Sequence, residues 1–186
     1  MELIQRCRAG DPNAFALLFE QYKNLVYRTA LLMLDDSSEA EDALQEVFLR
    51  VHHSLEQYQP EKGAFTTWLH RITVNYCLNL KRRRLFDWIS LETASSTESR
   101  LKVPSAEEQA VEIDLRNSLQ KLAPKLRAVI VLHFYWGLSY GEISQVLEIP
   151  IGTVQSRLAQ TLKNLRRLIN ISEIAETAVS FTKEVM

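Results

Sequence analysis

Apolar residues recur at helical spacing along most of this chain. After Asp11-Pro12, the positions Phe15, Leu18, Phe19, Tyr22, Leu25 and Val26 mark one face of a helix that continues to about Leu34. Asp is a favoured N-cap and Pro suits the first helical position, so the dipeptide reads as a helix start. Asp35-Asp36-Ser37 interrupts the pattern. Ser38 with Glu41 then spells a capping box for a helix over 38–56, whose stripe is Ala40, Ala43, Leu44, Val47, Phe48, Val51 and Leu55. Residues 60–63 read as a loop. A third helix over 64–84 turns Phe65, Trp68, Leu69, Ile72, Tyr76 and Leu80 inward. The periodicity lapses over 86–110, where SLETASSTESRLKVPSAEEQ is rich in Ser, Thr and Glu and reads as a flexible linker. It resumes from about Glu107 to Leu122, is punctuated by Ala123-Pro124, and returns as a strongly apolar helix over 125–135 that Gly137 ends. The pattern predicts an all-α fold with two small helical domains, 1–85 and 111–170, joined by that acidic linker.

The second domain carries a recognisable arrangement. Ser139 and Glu142 make a capping box for a short helix ending at Leu147. Glu148-Ile149-Pro150 forms the turn, and a second helix runs from Ile151 to about Ile169. Val154, Leu158, Leu162 and Leu165 face inward; Thr153, Gln155, Ser156, Arg157, Gln160, Lys163, Arg166 and Arg167 face outward. Two short helices, a tight turn and a polar N-terminal half on the second helix make a helix-turn-helix. Gln, Ser and Arg reach base edges in a major groove, and the later cations suit phosphates. An ordinary helical hairpin with a solvated face would show the same periodicity.

Charge separates these readings. The chain has 186 residues, 22 Lys and Arg against 23 Asp and Glu. Residues 113–170 hold 8 basic and 3 acidic residues, a balance of +5, whereas 86–112 hold 2 basic and 6 acidic. The basic excess on the helix-turn-helix favours DNA. No apolar run approaches the ~18–20 residues of a membrane span, and the N-terminus lacks a signal-peptide core, so membrane insertion is not expected and a cytoplasmic location is. Cys7 and Cys77 cannot build a disulfide framework, and no His/Cys spacing suits a metal, so neither metal nor cofactor is expected. No nucleophile–base, paired-carboxylate or phosphate-loop pattern stands out, so an enzyme is not expected.

Two faces of the first domain also carry information. On helix 38–56, Asp42, Gln45 and Glu46 lie together at i, i+3, i+4, while Glu39 and Glu41 are accounted for by the helix dipole. On helix 64–84, Arg71, Asn75, Asn79 and Arg82 form a polar stripe that ends in Lys81-Arg82-Arg83-Arg84. A terminal basic run complements the dipole. Asn pairs and guanidinium groups near Tyr58, Phe65, Trp68 and Tyr76 also suit single-stranded DNA, whose bases stack and whose phosphates attract cations.

At this point the residues resemble a family. Asp42-Ala-Leu-Gln45-Glu46-Val-Phe48-Leu-Arg50 followed by Phe65-Thr-Thr-Trp68-Leu69-His-Arg71-Ile72-Thr-Val-Asn75 is similar to region 2 of the extracytoplasmic-function sigma factors of the sigma-70 family. Leu122-Ala-Pro124, Arg127, Val129, the run 137–143 and Ile149-Pro150-Ile-Gly152-Thr153-Val154-Gln-Ser156-Arg157 are similar to their region 4. The resemblance covers about 150 of the 186 residues. It implies a factor that binds core RNA polymerase, directs it to promoter DNA and promotes opening. Asp42, Gln45 and Glu46 would dock on the β′ clamp helices, with the β flap as a second polymerase contact. Arg71, Asn75, Asn79, Lys81, Arg82 and Arg83 would meet the −10 element, with one unstacked base in a pocket between loop 57–63 and the following helix. Thr153, Gln155, Ser156, Arg157, Gln160 and Lys163 would read the −35 element. An anti-sigma factor is a further implied partner.

The linker suits that division. As a flexible coil its ~25 residues span on the order of 28 Å, two DNA turns span roughly 68 Å, and full extension reaches ~85 Å. Contact with both elements therefore requires an extended linker. The chain departs from the family at Gln155, where Arg or Lys is frequent, and at Ala159 and Gln160, which bear on the −35 preference. Glu148 stands where Gly is frequent, and a left-handed conformation there would cost roughly 1 kcal/mol. Two other readings share the pattern: a free-standing helix-turn-helix regulator with an N-terminal sensor or oligomerisation domain, and a pure interaction protein. The tail 171–186 is amphipathic through Ile171, Ile174, Ala175, Ala178 and Val179, and reads as a helix packed on its own domain, a docking or autoinhibitory segment, or a frayed end.

Overall fold

The structure, a computed structural model, describes residues 2–90 and 118–168. Helix α1 (Glu2–Arg8) precedes α2 (Pro12–Leu34), α3 (Ser37–Ser54) and α4 (Phe65–Ser90), with 3-10 turns at Leu55–Gln57 and Pro60–Lys62 between the last two. The C-terminal part holds α5 (Pro124–Ile130), continued by a π segment Val131–Tyr135, then α6 (Tyr140–Leu147) and α7 (Ile151–Leu168). The all-α expectation holds among the described residues. The tail 171–186 and most of the helix expected over 107–122 lie outside them.

Local chemistry explains the boundaries. Asp11 Oδ1 accepts from the N–H groups of Asn13 at 2.9 Å and Ala14 at 3.2 Å, so two donors at the start of α2 are satisfied. The helix ends at Asp35, which is left-handed (φ 67°) and returns its N–H to Leu31 O at 2.9 Å. Asp36 then caps α3 by accepting from Glu39 N at 2.9 Å. The Ser38–Glu41 capping box is therefore corrected. Asp36 has the extended backbone a cap needs (φ −133°, ψ 127°), whereas Ser38 is already inside the helix. Helix α4 runs to Ser90, past the expected end at residue 84 and into the expected linker. Neither Gly nor Pro stands between Ala64 and Ser90 to stop it.

Helix α1 escaped the periodicity argument. Its Leu3, Ile4 and Cys7 pack on a cluster formed by Leu18, Val26, Val47, Phe48, Val51, Leu55, Phe65 and Leu69. Full burial of each such aliphatic or aromatic side chain contributes about 1.5–3 kcal/mol, so this cluster sets the angles among α2, α3 and α4. In the C-terminal part, the Ser139–Glu142 capping box is present: Ser139 Oγ accepts from Glu142 N at 3.3 Å, and Ser139 N donates to Glu142 Oε2 at 2.8 Å. Gly137 (φ 66°) makes the preceding turn. Glu148 adopts the left-handed conformation anticipated for it (φ 53°).

The two halves do not stand apart. A second cluster joins Ala30, Met33 and Leu34 of α2 and Val74 and Cys77 of α4 to Val129, Leu132, Ile143, Val146 and Val154 of the C-terminal helices. Buried Arg127 is the polar centre of that junction. Its Nε donates to Leu119 O (2.8 Å), Nη1 to Met33 O (2.5 Å), and Nη2 to Gln120 O (2.8 Å) and Leu122 O (3.3 Å). One guanidinium thus ties the C-terminus of α2 to the turn before α5.

Candidate nucleic-acid interface

Loop 55–63 and the first turns of α4 enclose a cleft of about 530 Å³, open to solvent. Tyr58 holds the loop in shape. It is buried, its hydroxyl donates to Gly63 O at 3.1 Å, and its ring lies 5.5 Å from that of Trp68. Arg8 of α1 fastens the same loop from behind by donating to Leu55 O (3.1 Å) and to Tyr58 O. Half-exposed Trp68 offers an aromatic wall, Gln57 and Gln59 offer amides, and Lys62 and Arg71 offer cations. That set suits one unstacked base with its phosphates: rings stack, amides meet base edges, cations take the charge. The expected location, between loop 57–63 and the following helix, is where the cleft lies. Lys62, Gln57 and Gln59 carry no periodic signal and were missed; their sole sequence cue is a polar loop beside aromatics.

The stripe on α4 leaves this cleft in order. Arg71 and Asn75 are half-exposed, Asn79, Arg82 and Arg83 are exposed. Lys81 is different. It is half-buried, its Nζ donates to Leu34 O at 3.0 Å, and burial beside Arg127 pulls its pKa below the ordinary lysine value. Among the residues expected on the DNA face, Lys81 is thus fixed against the protein. Its neighbour Arg84 pairs with Glu39. Phe65 is buried in the core, while Tyr76 is half-buried under the Arg50 guanidinium, 5.0 Å from its ring centre.

On α3, Asp42 and Gln45 are exposed, and Glu46 is half-exposed in an i, i+4 ion pair with Arg50 at 3.1 Å. Leu49 continues this face at 57% exposure, an apolar position that charge patterning does not signal. On α7, Gln155, Ser156, Gln160 and Lys163 are exposed, and Thr153 and Arg157 half-exposed. Val154, Leu158 and Leu165 are buried beneath them, so the reading face is held by packing on the helix's other side.

Several contacts link α4 and the C-terminal helices. Arg71 Nη1 meets Glu148 Oε1 at 3.3 Å, and Gln145 of α6 lines the cleft. His70, 2% exposed, lies 5.1 Å from the Trp136 ring, whose Nε1 donates to Thr29 Oγ1 at 2.9 Å. Burial lowers the His70 pKa to about 4, and its Nδ1 has no hydrogen-bond partner among the described residues. Cys77 is fully buried and its thiol is pushed up to about 12, which removes the thiolate that redox chemistry needs. Among the described residues, no group of three or more His, Cys, Asp or Glu is placed to hold a metal, and no helix is long and apolar enough to cross a membrane.

Comparison with known proteins shows the family. Residues 18–85 match sigma-70 region 2 and residues 112–165 match sigma-70 region 4. The chain is 37% identical over 171 residues to the ECF RNA polymerase sigma factor SigE of Mycolicibacterium smegmatis, covering 87% of this chain and 64% of that one. It is 33% identical over 175 residues to SigW of Bacillus subtilis, covering 88% of this chain and 93% of that one. The fold matches the sigma factor RpoE solved with the anti-sigma factor NepR from Bartonella quintana (TM-score 0.67, 20% identity, 86% and 98% of the two chains). It also matches CnrH solved with the cytosolic domain of CnrY (TM-score 0.67, 22% identity, 92% and 97%). With both regions present in order and relatives matched over most of its length, the chain belongs to the sigma-70 family, among the extracytoplasmic-function sigma factors that direct RNA polymerase to promoters.

Proposed function

We propose how this chain's own residues divide the work. Asp42, Gln45 and Glu46, with Leu49 continuing their face, dock α3 on the β′ clamp helices, and the C-terminal domain meets the β flap. Arg71, Asn75, Asn79, Arg82 and Arg83 receive the non-template strand of the −10 element, and the cleft beside Trp68 holds one extruded base. Extrusion costs a few kcal/mol, which stacking and edge contacts in the cleft offset. Lys81 acts through charge and through its bond to Leu34 O. Thr153, Gln155, Ser156 and Arg157 read the −35 duplex, and Gln160 and Lys163 hold its backbone. The chain works by binding, without turnover of a substrate of its own, in the cytoplasm. An anti-sigma factor is a further partner, supported by the RpoE–NepR and CnrH–CnrY complexes.

One observation carries this reading. A single chain pairs an aromatic, cation-lined cleft for single-stranded DNA with a helix-turn-helix whose reading face is exposed. The test is transcription in vitro by core polymerase on a genomic promoter pool. Transcripts that require this chain, and that disappear with Asn75→Ala or Arg157→Ala, are expected. Active core polymerase that yields no dependent transcript, together with duplex binding by the chain alone, would refute the assignment.

A further inference from the structure

Helix α1 precedes residue 18, where the match to sigma-70 region 2 begins. A helix of seven residues is unstable in water by itself, so packing holds it. Leu3, Ile4 and Cys7 lie against the core of the first domain, and Arg6 pairs with Asp11, the cap of α2, at 2.8 Å. That anchorage fixes the place of Arg8. Its side chain is half-buried, and Nε and Nη2, the two donors on one edge of the guanidinium, donate to Leu55 O and Tyr58 O. These carbonyls bracket Gln57, and the second belongs to the peptide that carries Gln59. Both glutamines line the cleft.

Two 3-10 turns flank this stretch and close on themselves, Tyr58 N donating to Leu55 O (3.2 Å) and Gly63 N to Pro60 O (3.3 Å). Between them the backbone is extended at Tyr58 (φ −67°, ψ 126°) and Gln59 (φ −118°, ψ 106°). The ring and hydroxyl of Tyr58 fix one side of that stretch, on Trp68 and Gly63 O; Arg8 fixes the other side through the Tyr58 carbonyl.

We infer that Arg8 is a positioning residue for −10 recognition, holding Gln57 and Gln59 from behind the loop where they meet the extruded base. This rests on the −10 role given above to the cleft. Arg8 does not line the cleft and acts through the loop. The planar fork matters, because a single ammonium does not reproduce two parallel N–H donors. A base-edge hydrogen bond spans about 2.7–3.2 Å and weakens steeply when bent, so small shifts of the glutamines erase base preference. Stacking on Trp68, which stands on α4, accepts any base and survives them.

The test uses holoenzyme assembled from core polymerase and the full chain. The probes are fluorescent single-stranded oligonucleotides with the −10 element found in the transcription experiment, each position carrying the four bases in turn. Anisotropy gives the preference, the ratio of affinities for the best and worst base at the most selective position. Arg8→Met removes the fork, and Arg8→Lys keeps the charge without it. Arg6→Met removes the same charge from the same helix, away from the loop. A loop that holds its reading shape one-tenth of the time binds about tenfold more weakly. Both Arg8 variants are therefore expected to lose about tenfold for the best base and little for the worst, with core binding and circular dichroism unchanged, while Arg6→Met matches wild type. Wild-type preference in Arg8→Met would overturn the inference. Full recovery in Arg8→Lys, or an equal loss in Arg6→Met, would also overturn it, since charge would then suffice. Equal weakening toward all four bases together with weaker core binding would reduce Arg8 to a support of the fold and overturn it as well. A wild type with no preference at any −10 position would refute the cleft reading, and the role of Arg8 with it.

Discussion

Replacement of Arg127 by Met removes the buried charge at the junction while keeping most of its volume. Four main-chain carbonyls lose a donor: Gln120 and Leu122 on the C-terminal side, Met33 at the end of α2, and Leu119, which keeps the Leu122 N–H at 3.1 Å. A hydrogen bond to a charged donor contributes about 1.5–3 kcal/mol, so the gross interaction is large. Against it stands the cost of burying the guanidinium. Burial lowers its pKa from 12.5 to about 10, a penalty of about 3 kcal/mol that applies in full at neutral pH, where folded and unfolded chains are both charged. Four such bonds less that penalty leave a loss of about 3–9 kcal/mol for Arg127→Met, whose lower part is the range found when one partner is removed from a buried charged arrangement. Arg127→Lys keeps the charge, but one ammonium cannot reach carbonyls arranged around a planar fork, and about half the loss remains. Urea unfolding followed by circular dichroism measures both. A loss below about 1 kcal/mol for the Met variant would refute the reasoning, because the carbonyls would then be satisfied without Arg127.

Acid should weaken the fold through His70. Its pKa is about 4 when folded and 6.5 otherwise, so the unfolded chain binds more protons between those values. Stability contributed by neutral His70 is full above pH 6.5 and is lost as pH falls toward 4; at pH 5 the loss is about 2 kcal/mol. Glu142 of α6, the charged group that acts on His70, favours its protonated form but does not outweigh burial. Unfolding of His70→Phe between pH 7 and 5 should show a shallower acid slope, and an unchanged slope would assign the effect elsewhere. Ser139→Ala breaks the capping box of α6 and should cost about 1 kcal/mol in thermal unfolding; no change in melting would mean the box contributes nothing. Glu148→Gly relaxes φ 53° at the loss of an exposed ion pair, and should raise stability by up to about 1 kcal/mol, since such pairs contribute little; a lower midpoint would show that the Arg71 contact outweighs the strain.

What the sequence revealed follows from how local each signal is. The Asp11-Pro12 start, the Ser139–Glu142 box and the buried stripe of α7 depend on neighbours within a turn or two, and all stand in the structure. The start of α3 was misread because Asp35, Asp36, Ser37 and Ser38 are all plausible caps, and only backbone angles separate them. Helix α1 has seven residues, too short for a periodic pattern to show. The position of the cleft was legible only through the resemblance to sigma region 2, not from the residue pattern itself. Gln145 was not, because it comes from a segment more than eighty residues away that pattern alone assigns to another domain.

The junction itself had a signal that hydropathy conceals. His70, Thr73, Val74 and Cys77 recur at i, i+3, i+4, i+7 on α4, and all four are buried. Two of them, His70 and Thr73, are side chains that a hydrophobic count scores low. Such a stripe makes a cover that is weaker than a core of Leu and Ile: Thr73 spends its hydroxyl on Leu69 O, and His70 is buried with an unpartnered nitrogen. An uncompensated buried polar atom costs about 1–3 kcal/mol. A face that had to stay covered permanently would gain by replacing His70 with an apolar residue. The polarity of this stripe therefore makes the junction a weaker cover for α4 than an apolar core of the same size.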